Sequence, residues 1–171
     1  MDRALGKMLP GSLLSTAAIR GADRTAVICA GTGRRVSYAE IDARANRLAN
    51  ALGAAGLAKG DVLAFLVSNR AEIVEIYFAL ARAGIVGVPL NYRLAPPELD
   101  GLMQAMGARG LIYEDRFAAA AGACAHGRDL RVRIGEDESP ATDYEAMLAG
   151  AAATPPGVEV EESDPFYFNL T

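Results

Sequence analysis

The part of the sequence closest to any chemistry is its end, where an apolar, strand-like run at residues 164–170 finishes on Thr171. An α/β nucleotide-binding fold would begin its phosphate loop at such a place, because open α/β sheets bind ligands beyond the carboxyl ends of their strands. The pattern therefore indicates a chain cut off before its chemistry. The alternative is that residues 166–170 form the closing strand of a complete small domain.

Other residues that could act in catalysis are few. His126 is the only histidine, which excludes mechanisms that need two histidines, and we expect it to lie at the surface. No serine stands in a G-x-S-x-G elbow, so a Ser-His-Asp triad is not supported. Residues 31–34, GTGR, resemble half a phosphate loop, but they lack the third glycine, the lysine and a following helix start. A hairpin turn explains them better.

Two further sets of side chains have structural interpretations. An acidic group near the end could bind a cation, but its spacing is more typical of a solvated linker. Its members are Glu159, Glu161, Glu162 and Asp164. Cys29 and Cys124 lie far apart and form no C-x-x-C pair, which predicts buried free thiols and a reducing compartment. None of these residues is a convincing catalyst.

The composition indicates one globular domain. The 171 residues are 51% hydrophobic and 22% charged, with a formal net charge of −4. This balance gives no electrostatic reason to expect nucleic acid or an anionic membrane as a partner. No uncharged apolar run approaches the roughly 20 residues that a membrane helix needs. We expect a soluble, cytoplasmic protein. The composition does not decide between a monomer and a homodimer.

A helix is predicted to begin at Ser37. Ser37 and Glu40 have the spacing of a capping box. Apolar residues then recur at intervals of three and four, as in an amphipathic helix of about five turns. The stripe consists of Ile41, Ala45, Leu48, Ala49 and Leu52. Arg44, Arg47 and Asn50 fall on the other side of this helix.

A strand-helix-strand unit follows. Residues 61–67 form a near-continuous apolar run, which is typical of a central parallel strand covered on both faces. Asn69 with Glu72 repeats the capping pattern before a second helix that ends near Gly84, and residues 85–90 are the next strand. The right-handed crossover of a βαβ unit places its two strands parallel in one sheet.

The remaining elements are shorter. Residues 12–19 predict an opening helix, and residues 25–37 predict a hairpin. Downstream, the predicted elements are a helix from Pro96 to Met106, strands at 110–113 and 130–134, and helices at 118–125 and 144–148. Residues 150–163 are predicted to be a connector. The fold class is therefore α/β, a mostly parallel sheet flanked by helices.

Three segments resemble the N-terminal part of the adenylate-forming superfamily, which includes acyl-CoA synthetases, luciferases and the adenylation domains of nonribosomal peptide synthesis. Residues 36–49, with VSYAEID and ANRLA, resemble its first core motif, and residues 79–90, ALARAGIVGVPL, its second. Residues 163–171, SDPFYFNLT, resemble the approach to its Ser/Thr/Gly-rich phosphate loop. The resemblance implies that residues 1–171 are the N-terminal subdomain of an acyl-CoA synthetase-like fold.

The resemblance also implies an activity for a longer parent protein. Such an enzyme would use ATP and Mg²⁺ to convert a fatty or other organic acid to an acyl-adenylate, which the thiol of CoA then attacks to give a thioester. The extension NYRL at residues 91–94 favours an acyl-CoA ligase over an amino-acid-activating domain. Only Thr171 can be carried onto the nucleotide site, as the first hydroxyl of the ATP phosphate loop. We therefore expect residues 1–171 alone to be inactive and to hold no cofactor.

Two other kinds of protein stay open as alternatives. One is a non-enzymatic binding or oligomerisation module, whose exposed sheet edge would pair with a partner or a second copy. The other is a small flavodoxin-like nucleotide-binding domain. That domain would need an intact phosphate loop at a strand end within these residues, and the sequence shows none.

Overall fold

The computed structural model describes residues 8–136 and 140–169. The α-helices within these ranges are α1 (Pro10–Arg20), α2 (Tyr38–Ala54), α3 (Ala71–Ala83), α4 (Pro96–Met106), α5 (Ala118–Ala123) and α6 (Tyr144–Ala149). The strands are β1 (Thr25–Ile28), β2 (Arg35–Ser37), β3 (Val62–Leu66), β4 (Val86–Pro89), β5 (Ala108–Glu114), β6 (Leu130–Ile134) and β7 (Thr142–Asp143). A short 3₁₀ turn, Asp115–Phe117, follows β5.

The main sheet is parallel, as the βαβ pattern predicts. Its strand order is β4-β3-β5-β6-β7, and the separate hairpin β1-β2 is antiparallel. Residues 166–168, termed the tail, run parallel to β4 at its outer edge. The backbone N–H of Gly87 donates to the carbonyl of Phe166 at 3.1 Å, and that of Phe168 donates to the carbonyl of Gly87 at 2.9 Å. The tail is therefore the next strand-like segment beyond β4.

The central strand β3 is covered on both faces. Leu63 and Phe65 belong to one apolar core, with α2, α3 and α6, whereas Ala64 and Leu66 belong to a second core, with α4 and α5. All four residues are at most 1% exposed. Helix α1 packs on α2 and α3 and adds Leu14 to the first core. The near-continuous apolar run of this segment arises from that two-sided burial, and the α/β prediction is confirmed.

The two predicted helix caps differ in outcome. The Ser37 hydroxyl accepts from the Glu40 backbone N–H at 3.2 Å, so the cap of α2 is confirmed. The cap of α3 at Asn69 is wrong, because Arg70 is the residue that precedes the helix and its own side chain makes no capping hydrogen bond. The guanidinium of Arg70 donates to both oxygens of Glu72, at 2.7 and 3.1 Å. The Glu72 side chain is therefore bonded to Arg70, and the helix begins at Ala71.

The GTGR segment is a hairpin turn, as predicted, and not a phosphate loop. The backbone N–H of Gly33 donates to the carbonyl of Cys29 at 2.8 Å, and the N–H of Cys29 donates to the carbonyl of Arg34 at 2.9 Å. Gly33 has a φ of +70°, a conformation that glycine adopts without a steric penalty. Cys29 beside this turn is only half-buried, in contrast to the expectation that both thiols are buried.

Gly110 in β5 offers a test of how tightly the sheet is packed. A Cβ atom there would lie 2.6 Å from a methyl carbon of Leu63 and 3.0 Å from the carbonyl oxygen of Leu130. We therefore expect Gly110→Ala to lower the free energy of unfolding by about 2 kcal/mol, as overpacking does. Urea denaturation measures the change.

The matched control is Gly101→Ala in α4, where a Cβ atom meets nothing within 4 Å. This replacement is expected to raise the free energy of unfolding by about 0.5 to 1 kcal/mol, since alanine loses less backbone entropy in a helix than glycine. Equal effects of the two substitutions would contradict the close packing of β3, β5 and β6 around Gly110.

Candidate functional site

The candidate site lies at the edge of the sheet where the parallel strands end. Because β3, β4, β5 and β6 are parallel, their carboxyl ends meet at one edge, and open α/β sheets bind ligands there. The tail runs in the same direction as β4 and approaches the same edge. Thr171, the predicted start of the phosphate loop, lies outside the described residues and stays a prediction.

Glu114 is the buried acid at this edge. It ends β5, and its carboxylate accepts from both the backbone N–H of Ser68, at 3.0 Å, and the Ser68 hydroxyl, at 2.6 Å. Arg70 lies 3.7 Å from the other oxygen of Glu114. Since Ser68 and Arg70 belong to the segment that follows β3, Glu114 fixes the end of one central strand to the end of its neighbour.

A second acid, Glu72, lies beside this junction on the first turn of α3. Burial by itself raises the pKa of Glu72, but hydrogen bonds from Arg70 and from its own backbone N–H outweigh burial and lower the pKa below its ordinary value. Arg34 of the β1-β2 hairpin is 3.7 Å away and adds to the lowering. Glu72 is therefore ionised at neutral pH, and it connects the hairpin to the carboxyl edge of the sheet.

An aromatic platform, consisting of Tyr92 and Phe117, lies at the same edge. Tyr92 follows β4 and Phe117 follows β5, so the two rings meet across the end of the intervening β3. The rings are stacked, with centroids 5.6 Å apart and planes at 16°, and Tyr92 is 48% exposed. The guanidinium carbon of Arg116 is 4.8 Å from the Phe117 centroid. An exposed ring face beside a cation suits a planar ring that carries phosphate.

His126 lies away from this site. It precedes β6 and is therefore at the opposite edge of the sheet, where its ring is 38% exposed. Its backbone N–H and its Nδ1 are 2.8 and 3.0 Å from Oδ1 of Asp100. These hydrogen bonds, the backbone one first, lower the pKa of Asp100. The contact ties the turn after α5 to α4, a structural role consistent with the predicted surface histidine.

The acidic group and the second cysteine also have local partners. The carboxylate of Asp164 accepts from the Glu161 backbone N–H at 2.6 Å and pairs with Lys59 at 2.6 Å. Within the described residues, no group of three or more histidine, cysteine, aspartate or glutamate side chains could hold a metal ion. Cys124 is buried, and burial raises the pKa of its thiol. These residues therefore add nothing to the site at the carboxyl edge.

Sequence reasoning missed Glu114 and the aromatic platform. The predicted strand stops at residue 113, one position before Glu114, although a carboxylate directly after an apolar strand is a usable signal for a site. Tyr92 and Phe117 have no such signal. Their contact depends on the strand order β4-β3-β5, which no local pattern contains.

The fold and the sequence of this chain both match known proteins. The N-terminal domain of FACL13 from Mycobacterium tuberculosis superposes with a TM-score of 0.79 at 30% sequence identity, over 94% of this chain and 41% of that one. A family model described as "AMP-binding enzyme" matches residues 14–171. The chain therefore belongs to the family of AMP-binding enzymes, as the resemblance of its three motifs implies.

Two relatives with named activities match different shares of the chain. A feruloyl-CoA synthase from an Amycolatopsis species is 46% identical over 113 residues, which are 63% of this chain and 23% of that protein. A 3-hydroxybenzoate–CoA/4-hydroxybenzoate–CoA ligase from Thauera aromatica is 36% identical over 152 residues, 85% of this chain and 28% of that protein. The chain thus spans about a quarter of the length of these relatives. Among its described helices, none is both long and apolar enough to cross a membrane.

Proposed function

We propose that residues 1–171 are the N-terminal subdomain of an ATP-dependent acyl-CoA ligase, with residues 150–163 as a connector within it. The observation that carries this proposal is the tail, which lies parallel to β4 and runs towards the carboxyl edge of the sheet. A phosphate loop that followed Thr171 would begin at the crevice where such sheets bind ligands. The subdomain alone is proposed to be inactive.

The proposed reaction has two steps. A carboxylate oxygen of the substrate attacks the α-phosphorus of ATP and displaces pyrophosphate. The thiol of CoA then loses its proton, and its sulfur attacks the acyl carbon and displaces AMP. The relatives named for ferulate and hydroxybenzoate support a carboxylic acid as the substrate and an acid–thiol ligase as the enzyme class. Mg²⁺ accompanies ATP in such chemistry, but the described residues offer no cluster that fits a metal ion, so we assign Mg²⁺ to none of them.

The carboxyl-edge residues have separate proposed roles. Glu114 holds the segment after β3 through Ser68 and so keeps the floor of the crevice fixed. The aromatic platform of Tyr92 and Phe117 is proposed to stack on the adenine ring of a nucleotide substrate, with Arg116 placed to attract its phosphates. ATP and CoA both contain an adenine ring, and enzyme kinetics can determine which of the two binds at the platform.

The test begins by sequencing the source gene beyond codon 171 and expressing the protein that the full reading frame encodes. We expect acid-dependent exchange of pyrophosphate into ATP, measured with ferulate, 4-hydroxybenzoate and a long-chain fatty acid. The 171-residue chain should show no exchange. Two outcomes would favour a binding module instead. One is an absence of exchange with every acid class. The other is a reading frame that stops at codon 171, together with a molar mass of the protein that rises with its concentration in light scattering.

Platform variants of the full-length protein then identify the nucleotide. Phe117→Leu keeps an apolar side chain but removes the ring, and we expect about a ten-fold rise in KM for the nucleotide that stacks there. Of the two nucleotides, pyrophosphate exchange needs ATP but not CoA, whereas thioester formation needs both. A changed KM for ATP in both assays therefore identifies ATP as the ligand, and a changed KM for CoA in thioester formation alone identifies CoA. If neither KM changes, the platform has no role in nucleotide binding.

A further inference from the structure

The segment that joins α6 to the tail is held to α2 by its main chain. This segment, residues 151–164, is termed the strap and contains no helix or strand. Four successive strap carbonyls accept hydrogen bonds from α2 side chains: Ala151 from Arg47 at 2.5 Å, Ala152 and Thr154 from Asn50 at 2.9 and 2.8 Å, and Ala153 from Asn46 at 2.9 Å. Contacts to carbonyls fix the path of a chain whatever its side chains are.

Asn46 connects the strap to the centre of the helical layer. Asn46 is only 3% exposed, and its Oδ1 accepts a hydrogen bond from a guanidinium nitrogen of Arg82 at 2.7 Å. Its Nδ2 donates to the carbonyl of Ala153 on the other side. Because both ends of the amide are bonded, its orientation is fixed. The strap is thus tied through Asn46 to α3 as well as to α2.

Lys59 anchors the other end of the strap. Its ammonium group donates to the carbonyl of Glu159 at 3.0 Å and pairs with Asp164 at 2.6 Å. The stem of Lys59 crosses Gly84, where a Cβ atom would lie 2.8 Å from the Lys59 Cγ. Gly84 also has a φ of +64°, which favours glycine. The close approach of these two residues places the ammonium group beside the last residues of the strap.

The tail begins two residues after Asp164. Its main chain pairs with Gly87, and its rings pack on Tyr77, whose centroid is 6.2 Å from that of Phe166 and 6.1 Å from that of Tyr167. A slip of one residue would move each tail side chain to the opposite face of the sheet. With its two ends anchored, the strap has a set length, and that length determines which tail residue lies opposite Gly87.

We propose that Asn46, Asn50 and Lys59 are positioning residues that set the register of the tail on β4. The consequence of this register for function rests on the proposed ligase activity. In such a ligase, the register of the tail determines where the segment after the tail enters the crevice. The three side chains touch no reacting atom. They act through the strap, by fixing the main chain that leads to the tail.

The test is amide hydrogen exchange of the 171-residue chain, followed by NMR at Gly87 and Phe168, whose N–H groups make the tail hydrogen bonds. The variants are Asn50→Ala and Lys59→Met, which remove the polar anchor from either end of the strap. We expect both to speed exchange at these amides by about ten-fold, because local opening follows the loss of local contacts. Amides within β3 and β5 should exchange as in the wild type.

Gln104→Ala is the matched control, because it removes an exposed amide from α4, on the opposite face of the sheet. It should leave the Gly87 and Phe168 amides unchanged. Unchanged exchange at both amides in both variants would overturn the proposal, as would equal acceleration throughout the sheet, which reports lower global stability. Exchange needs no substrate, so this result stands apart from the pyrophosphate assay, and failure of either experiment leaves the other interpretable.

Discussion

Replacing Glu75 by alanine is expected to lower the free energy of unfolding by about 4 kcal/mol, the largest effect of any single substitution considered for this chain. Glu75 lies on α3 and is fully buried. One of its oxygens accepts from Nε of Arg44 at 2.7 Å, and the other accepts from the Tyr144 hydroxyl at 2.8 Å. Alanine would leave a buried hydroxyl and a half-buried guanidinium without this acceptor.

The charges around Glu75 explain why the pair is costly to break. Burial raises the pKa of Glu75, and the hydrogen bond and charge of Arg44 oppose that rise. Arg44 is in turn held by both oxygens of Glu145, at 2.9 and 2.6 Å. The hydrogen bond that Arg44 donates to Glu145 is the largest cause of its raised pKa, so Arg44 stays protonated. Helices α2, α3 and α6 therefore share one ionic cluster, which runs from the buried Glu75 through Arg44 to the exposed Glu145.

Urea denaturation of Glu75→Ala, Tyr144→Phe and the double variant measures the coupling. Tyr144→Phe should cost about 1 to 2 kcal/mol, since it removes one buried hydrogen bond. The double variant should cost about 1 kcal/mol less than the sum of the two single changes, because the residues are in direct contact. The control is Glu40→Ala, which removes an exposed pair with Arg34 and should cost less than about 1 kcal/mol. A Glu75→Ala effect as small as that of the control would show that Glu75 does not hold this cluster together.

Replacing Arg82 by methionine is expected to cost about 3 kcal/mol of unfolding free energy, because it leaves several acceptors without a donor. Arg82 lies on α3 and is 8% exposed. Its guanidinium donates to five oxygen atoms, which are the carbonyls of Gly11 and Asp42, the Asn46 side-chain oxygen, the Ser15 hydroxyl and the Asp42 carboxylate. One side chain thus joins α1, α2 and α3.

Methionine is the informative replacement for Arg82 because it keeps most of the apolar stem while removing the charge. Chemical denaturation gives the change in stability, and proteolysis within α1 gives a local readout, since α1 loses its polar tie to α3. Arg20→Met, at an exposed position on α1, is the control and should change stability by less than about 1 kcal/mol. If the two arginine variants unfold at the same urea concentration, the guanidinium of Arg82 does not hold the three helices together.

Much of the fold could be predicted from the sequence because its signals are local. The Ser37 cap, the apolar run of β3 and the glycine after α3 each specify an element through a few neighbouring residues. The cap at Asn69 failed for a reason that is also local. Asparagine favours a cap position, but the helix begins two residues later, at Ala71, and the Glu72 side chain pairs with Arg70.

The polar side of α2 shows what a local pattern cannot contain. Periodicity places Arg44, Arg47 and Asn50 opposite the apolar stripe, as on a helix with one face towards water. In the structure α6 and the strap cover that side, and all three side chains bond to them. These partners come from residues about 100 positions later in the chain, so only the tertiary fold brings them together. The same limit applies to the contact of Tyr92 with Phe117 at the candidate site.

The position of the tail has a consequence for how the chain folds during synthesis. Strand β4 pairs with β3 on one side and, at Gly87, with the tail on the other. The β3-α3-β4 unit can form from residues that are close in sequence. The outer edge of β4 stays unpaired until residues 166–168 have emerged from the ribosome. An open strand edge invites pairing with other chains. Nascent chains that stall before the tail emerges are therefore expected to aggregate through β4, whereas chains released after the tail emerges are protected.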